Sequence, residues 1–379
     1  MVTLLKKNDA PKRVIHVFRA PVGGLFRHVY DLIRGQKNYD LKLGLICDSN
    51  TGDDHSKKLL KELEASCELG VFRIPMGRTI SWSDVKAVSS LNRICAELKP
   101  DIIHGHGAKG GAYVRLISKF VTTRIIYTTH GGSLHYSIMS PVGFVYLMLE
   151  RMLKHRTDGL IFESLYSNNT YVRKLGNISN LHQVIHNGLH ENEFTSIVPN
   201  NKAKDFVFIG ELRKLKGIDV LLKATAKLNS QNNLNLLIAG AGPDIDSYKR
   251  QIKDLGLENN VTLSPAIYPA TTAFALGRCV IVPSLAESFP YIVLEAAAAK
   301  VPLVATNVGG IPEIFGPYSD QLITPGDSDA LAQAMKKVLD NPQHINKNAE
   351  SLQHFVKQNY SVDKMVDNII KFYRRVYLS

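Results

Sequence analysis

The stretch VIVPSLAESFPYIVLE, residues 280–295, decides the fold. It opens with a short β-rich apolar run at 280–283 and closes in a helical pattern from Tyr291 onward. Between them a polar loop delivers Glu287, and Pro290 stands where a helix begins. An apolar run without alternation marks a strand buried on both faces, as in a parallel sheet covered by helices. The same unit recurs in both directions. In the second half the pattern predicts strands at 206–209, 235–239, 261–263, 280–283, 302–305 and 321–323, with helices at 218–229, 244–255, 291–300 and 329–339. In the first half it predicts strands at 14–18, 42–47, 71–74, 102–104, 125–128, 159–162 and 184–185, with helices such as 25–34, 83–98 and 142–155 between them. Strand–helix–strand repetition of this kind predicts an α/β chain of two doubly wound, Rossmann-like domains.

One polar stretch, 191–205, breaks the alternation and contains Pro199, Asn200 and Asn201. It reads as a linker between a domain of residues 1–190 and a domain of residues 206–360. Residues 361–379 hold a basic amphipathic helix with Met365, Ile369, Phe372 and Val376 at helical spacing, able to pack back on the N-terminal domain.

The composition narrows the class. Of 379 residues, 45% are apolar and 21% charged, which excludes a disordered or fibrous chain. The net charge is +12, of which residues 1–200 carry +9 (26 basic, 17 acidic) and the remainder +3 (20 basic, 17 acidic). That surplus suits an anionic substrate, an anionic membrane surface or nucleic acid. Cys47, Cys67, Cys95 and Cys279 form no CxxC pair, so neither a zinc site nor a disulfide framework is indicated, and a reducing, cytoplasmic compartment is expected. Lys6 and Lys7 come too early for the apolar core of a signal peptide. The best candidate for a spanning segment, 138–148, is too short to cross a bilayer and contains Ser140, Pro141 and Gly143.

Open parallel sheets bind ligands at the carboxyl ends of their strands, so the loops there carry the chemistry. The first is Ala20-Pro21-Val22-Gly23-Gly24, where Gly23 and Gly24 either let backbone N–H groups approach a phosphate or sugar, or simply make a tight turn. It is not a GxGxxG loop, and no acidic residue ends the second strand, which argues against a dinucleotide site. His104-Gly105-His106-Gly107 and His130-Gly131-Gly132 each follow a strand; no Glu or Cys falls at a recognised metal-ligand spacing. His130 suits either a hydrogen bond to a substrate or a structural role. The triplets Asp244-Ile245-Asp246 and Asp327-Ser328-Asp329 precede helices, where acidic residues cap and complement the dipole rather than bind an ion.

In the 280–295 loop, a carboxylate (Glu287), a helix N-terminus suited to a diphosphate, and a second carboxylate one turn into the helix (Glu295) are supplied together. Carboxylates accept paired hydrogen bonds from vicinal diols such as ribose. The basic loop Gly210-Glu211-Leu212-Arg213-Lys214-Leu215-Lys216-Gly217 lies after the first strand of the same domain, and Arg213 and Lys216 could neutralise the diphosphate.

On these motifs the chain resembles a family 4 retaining glycosyltransferase of the GT-B fold. Glu287 and Glu295 match the Glu-x7-Glu motif, Gly23-Gly24 the Gly-Gly turn, and His130-Gly131 the His-Gly after the fifth strand. Asn187-Gly188, Lys216-Gly217, Gly240-Ala241-Gly242-Pro243 and Val308-Gly309-Gly310-Ile311-Pro312-Glu313 match further motifs, in order, over nearly the whole chain. The resemblance implies two domains facing a cleft, an acceptor-binding N-terminal one and a nucleotide-sugar-binding C-terminal one. It implies that Glu295 holds the ribose, Lys216 the diphosphate, and Glu287 with the Ser288–Phe289 backbone the donor sugar, while His130 contacts the transferring sugar. It further implies retention at the anomeric carbon, no metal or other cofactor, and a glycan or lipid-linked acceptor in bacterial surface polysaccharide or lipopolysaccharide synthesis. The basic first half adds the inner face of the cytoplasmic membrane as a peripheral partner; no recognised nucleic-acid module is present. Three departures stand out. Glu211 occupies the usual Arg position of the phosphate loop, with Arg213 two residues on. Pro290 cannot donate an N–H, so Tyr291 and Ile292 supply the phosphate donors. The interdomain motif reads His186-Asn187-Gly188. A nucleotide-sugar 2-epimerase of the same fold, and a non-enzymatic anion or nucleic-acid binder, are the alternative functions.

Overall fold

The structure is a computed structural model that describes residues 10–117, 123–229 and 234–379; the N-terminal segment read for a signal core lies outside the described residues. Two compact units form, one from Met1–Asn187 with Val362–Ser379 and one from Gly188–Ser361. In the first unit, seven strands form one parallel sheet: β1 (Arg13–Val17), β2 (Lys42–Asp48), β3 (Gly70–Ile74), β4 (Ile102–His106), β5 (Arg124–Thr128), β6 (Gly159–Phe162) and β7 (Leu181–Val184), in the order β3-β2-β1-β4-β5-β6-β7. In the second unit five strands, β8 (Lys204–Ile209), β9 (Leu236–Ala239), β10 (Val261–Ser264), β11 (Gly277–Val282) and β12 (Leu303–Ala305), follow the order β10-β9-β8-β11-β12. The order reverses between β1 and β4 and between β8 and β11, and ligands of doubly wound sheets bind at such switch points.

The continuous apolar strands have a direct reason. Side chains alternate across a sheet, so a strand covered on both faces must be apolar at every position. In β8, Phe206 and Phe208 enter one core while Val207 enters the other. In β9, Leu236 and Ile238 separate in the same way from Leu237 and Ala239. In the first unit Val14 and Ile102 face one core and Ile15 and Ile103 the opposite one.

Three sequence expectations change. The strand predicted at 321–323 is only a single bridge between Thr306 and Ile323, because Gly316–Gln321 winds into a 3₁₀ helix. The stretch 191–205 is not a free connector: Ile197 N–H donates to the Ala299 carbonyl, Phe194 and Ile197 pack on the second core, and β8 starts at Lys204. The fourth strand runs on through His106, so His104 and His106 lie inside a strand rather than in the loop after it.

The helix Val362–Leu378 belongs to the first unit, although its sequence neighbours lie in the second. It buries Met365, Val366, Ile369, Ile370, Phe372, Tyr373 and Val376 against Val14, Val29, Leu32 and Ile33. Gly35 makes room for it: a Cβ there would lie 2.5 Å from Val366 Cγ2. Its Tyr373 hydroxyl reaches His104 Nδ1 at 2.6 Å. Ile369→Ala is expected to cost the first unit about 2–5 kcal/mol, the range for emptying a well-packed aliphatic site. Calorimetric unfolding checks it: the transition of the first unit should fall while that of the second holds, and the reverse would place the helix in the wrong core.

Candidate functional site

In the second unit two loops leave the carboxyl ends of the adjacent strands β8 and β11. They touch because residue 217 is glycine. Its φ is +68°, and a Cβ there would lie 2.0 Å from the Pro283 carbonyl oxygen. Leu285 N–H donates to the Leu215 carbonyl at 2.8 Å, tying the loops together. Lys216 Nζ thereby lies 2.6 Å from Glu287 Oε1, and Ser284 Oγ donates to the same oxygen at 2.8 Å. Ser284 is fully buried and Glu287 nearly so. The arrangement leaves Glu287 Oε2 without a partner among the described residues, and an ammonium group has three donors of which this pair uses one. A carboxylate oxygen and spare ammonium protons together can hold hydroxyl and phosphate oxygens.

The loop after Glu287 is fixed from the other side. Gly309 has φ +61° and packs its Cα on the Glu287 carbonyl, where a Cβ would come within 2.0 Å, and Gly310 N–H donates to the Ser288 carbonyl at 2.7 Å. Phe289 turns into the core, edge-on to Tyr360 with ring centroids 5.4 Å apart. The side chains of Ser288 and Phe289 are both buried. Pro290 is the residue before the helix Tyr291–Ala298 rather than its first member, and Val293 N–H folds back to the Pro290 carbonyl at 3.2 Å. Tyr291 and Ile292 therefore head the first turn, where backbone N–H groups and the helix dipole favour an anion. Glu295 sits one turn further, partly exposed between buried Leu294 and Ala296. Arg213 turns toward Glu211, guanidinium to carboxylate 3.6 Å.

The Asp-x-Asp triplets are engaged elsewhere. Asp327 caps its own helix by accepting from the Asp329 and Ala330 N–H groups, and Asp329 pairs with Lys227 at 2.6 Å. Asp244 does not cap the helix it precedes; its Oδ2 accepts the Lys214 N–H at 2.8 Å and so steadies the Lys216 loop.

In the first unit, Gly23 and Gly24 are exposed at the start of the helix Gly23–Gln36, which has no side-chain cap. The histidines gather at the switch point between β1 and β4. Register pairs His16 with His104, and the two-residue period of β4 puts His104 and His106 on one face. Gln36 Oε1 lies 2.8 Å from His16 Nε2, His16 Nδ1 lies 3.0 Å from His106 Nε2, and His106 Nδ1 lies 3.3 Å from His130 Nε2. A carboxamide oxygen only accepts, so His16 donates from Nε2 and accepts at Nδ1. His106 must then donate from Nε2 and accept at Nδ1, and His130 must donate from Nε2. The chain ends with the lone pair of His130 Nδ1, which has no partner among the described residues. His28 donates from Nδ1 to Asn187 Oδ1 at 2.9 Å, and its buried Nε2 is unpartnered.

Two triplets of these rings, His16–His104–His106 and His28–His106–His130, hold nitrogens within 4.8 Å of one another. His16 and His106 in the first triplet, and His106 and His130 in the second, are joined by N–H···N hydrogen bonds. The loop that carries His130 is set by Glu163, a buried carboxylate just after β6 that accepts from His130 N–H at 3.2 Å, Thr129 Oγ1 at 3.3 Å and Ser167 Oγ at 3.2 Å. His130 itself has φ +47°. Sequence reading missed His16, His28, Gln36 and Glu163. Glu163 alone carried a signal, as an acidic residue at the carboxyl end of a predicted strand.

Burial keeps these rings neutral. It lowers His16 to about 4 and His28 and His130 to about 3, and holds His104 and His106 well below the ordinary 6.5. Below pH 6.5 the unfolded chain binds protons that the folded unit refuses, so stability falls with falling pH. Each of the four fully buried rings contributes a slope of up to about 1.4 kcal/mol per pH unit until its folded-state value is reached. The first unit is therefore expected to unfold steeply between pH 6.5 and about 4. Urea titrations at a series of pH values check this, and a flat profile would refute the neutral cluster.

Comparison with known proteins agrees with the motifs. The sequence model for glycosyl transferases group 1 matches residues 190–373, and that for Glycosyltransferase Family 4 matches residues 22–193. A UDP-Gal:alpha-D-GlcNAc-diphosphoundecaprenol alpha-1,3-galactosyltransferase of Escherichia coli is 24% identical over 97% of this chain and 98% of its own. A D-inositol 3-phosphate glycosyltransferase of Corynebacterium aurimucosum is 34% identical over 40% of this chain and 39% of its own. The chain spans about half or less of the first curated relatives it matches, 53% of a Methanocaldococcus jannaschii protein and 39% of a Corynebacterium glutamicum one. Among solved structures, sucrose-phosphate synthase from Thermosynechococcus elongatus superposes with a TM-score of 0.81 at 19% identity, covering 97% of this chain and 99% of that one. Anabaena HepE in complex with UDP-glucose gives 0.75 at 21% identity, covering 95% and 98%. These structures share the fold of two parallel-sheet α/β domains. With the two family models spanning residues 22–373 between them, the chain belongs to the family 4, group 1 glycosyltransferases of the GT-B fold.

Proposed function

We propose that this protein is a retaining hexosyltransferase that moves a sugar from a nucleoside-diphosphate sugar to a glycan or lipid-linked acceptor in bacterial surface polysaccharide or lipopolysaccharide synthesis. The observation that carries the reading is the Lys216–Glu287–Ser284 cluster, held at the β8/β11 switch point beside the start of the helix Tyr291–Ala298. The second unit binds the donor. Glu287 accepts hydroxyl groups of the sugar, Lys216 and the Tyr291 and Ile292 N–H groups take the diphosphate, and Glu295 takes the ribose diol. Arg213 adds positive charge at the loop edge. The first unit takes the acceptor. Neutral His130 offers the lone pair of Nδ1 to a substrate hydroxyl.

Charge on the departing diphosphate grows in the transition state, and preorganised cations and helix N–H groups stabilise it there without a metal. The relatives support donor and acceptor classes: HepE was solved with UDP-glucose, and the Escherichia coli relative is named for a diphosphoundecaprenol acceptor.

A thermal-shift screen of nucleotide-sugars, followed by product analysis in excess EDTA, tests the reading. A stabilising donor whose sugar passes to an acceptor with unchanged anomeric configuration is expected. Conversion of the donor without an acceptor, or full dependence on added Mg²⁺, would overturn it. Within the site, Glu295→Ala should weaken donor binding by roughly 1–3 kcal/mol, the worth of hydrogen bonds to a charged group. Lys216→Ala should instead lower kcat by roughly 100-fold while changing donor affinity little. Calorimetry and single-turnover rates on both variants separate the roles, and an interchange of the two effects would contradict the assignment.

A further inference from the structure

The helix Pro141–Leu153 in the first unit has its polarity reversed. Its buried stripe is Gly143, Leu147, Glu150 and Leu153. Glu150 is the only acidic residue between 136 and 156, and it points inward. It accepts from Arg115 Nη1 at 2.8 Å, Ser133 Oγ at 2.9 Å and the Tyr127 hydroxyl at 3.1 Å. Arg115 is fully buried. Rotating the helix to cover its apolar side would strand that guanidinium without its partner, which costs more than exposed apolar surface does. Gly143 fixes the same rotation, because a Cβ there would lie 2.0 Å from the Ser137 carbonyl oxygen.

The outward face is consequently apolar. Val142, Phe144, Val145, Met148, Leu149 and Met152 are all exposed along the helix, and Ile138 and Met139 extend the patch into the preceding turn. Met139 is 89% exposed and Met152 66%. The exposed basic residues among 136–156 are Arg151, His155 and Arg156, and no carboxylate in that range is exposed. A contiguous apolar patch of this kind marks an interaction surface. Apolar side chains beside the exposed cations Arg151 and Arg156 suit an anionic lipid surface, where the apolar face enters the acyl boundary and the cations meet headgroups. Thirteen residues make a helix of about 20 Å, which lies in an interface rather than crossing it. No described helix is long and apolar enough to span a membrane.

We infer that the helix Pro141–Leu153, with Ile138 and Met139, docks this protein on an anionic membrane surface. This deepens the reading of a lipid-linked acceptor, since that acceptor would lie in the same surface. It assigns the contact to an apolar face rather than to the general basic charge of the first half.

Vesicle sedimentation of the full chain, without donor or acceptor, tests it. Phosphatidylcholine vesicles with and without phosphatidylglycerol are compared at low and high salt. Binding to the anionic vesicles is expected, weakened but not abolished by salt. Met148→Asp/Met152→Asp should lower partitioning roughly tenfold or more, and Arg151→Glu should remove the preference for anionic lipid. Phe144→Ser, a milder change at an exposed position, should weaken binding at an unchanged melting temperature and serves where the double variant does not fold. A control variant on the first-unit helix Asp54–Glu64, Lys57→Gln/Lys61→Gln, should bind as the parent does. Wild-type sedimentation by the folded apolar-face variants, loss of binding in the lysine control alone, or no vesicle binding by the parent would each overturn the inference. So would a parent dimer that the double variant dissolves without any lipid binding, because a second copy would then cover the face. Donor binding read by thermal shift on the same variants belongs to the catalytic reading, and its failure leaves the vesicle result standing.

Discussion

A parallel strand that is apolar at every position must be covered twice, and most of the structure follows from that constraint. The first unit has one sheet face closed by Gly23–Gln36 together with Val362–Leu378, the helix that returns from the far end of the chain. Its last strand residues then cannot be uniformly apolar, because the carboxyl ends at the switch point also carry the polar groups. His16, His104 and His106 occupy inward positions of β1 and β4 and satisfy one another, Gln36, Thr128 and Tyr373 rather than water. Burial of unpaired imidazoles would cost far more than burial of this network.

Polar groups inside the units determine what faces outward. Glu150 with Arg115 sets the rotation of Pro141–Leu153 and so leaves its apolar side exposed. Lys216 with Glu287 keeps two loops of the second unit in contact and holds charged groups at the strand ends. Gly217 and Gly309 permit both approaches, since any side chain at either position would collide with a backbone carbonyl. Glu163 does the equivalent for the His130 loop in the first unit by accepting three hydrogen bonds at once. In each case one buried charge orders a loop or helix whose other face is left available for a ligand.

Much of this was legible in the residue order. Periodicity located the helices Ser83–Leu98 and Ile218–Asn229 at their observed bounds, because long runs with one period leave little choice. The Glu287 loop was legible because strand, loop, proline and helix follow one another locally. The predicted strand at 321–323 failed because a short apolar run needs a neighbour to pair with, and only one bridge forms. Gln36 and His16 carried no signal at all, since a glutamine at a helix end and a histidine in an apolar strand become partners only when helix and sheet pack.

The sequence by itself determined the alternation of strands and helices, the family motifs and the basic excess of the first half, all of which depend on local order and composition. Tertiary structure alone decided which unit receives the last helix, which nitrogen of His130 remains bare, and which side of Pro141–Leu153 turns outward. Those outcomes hang on contacts between residues far apart in the chain: Tyr373 with His104, Gln36 with His16, and Glu150 with Arg115. Local pattern cannot encode them, because each is fixed by the cost of leaving a buried polar group without its partner.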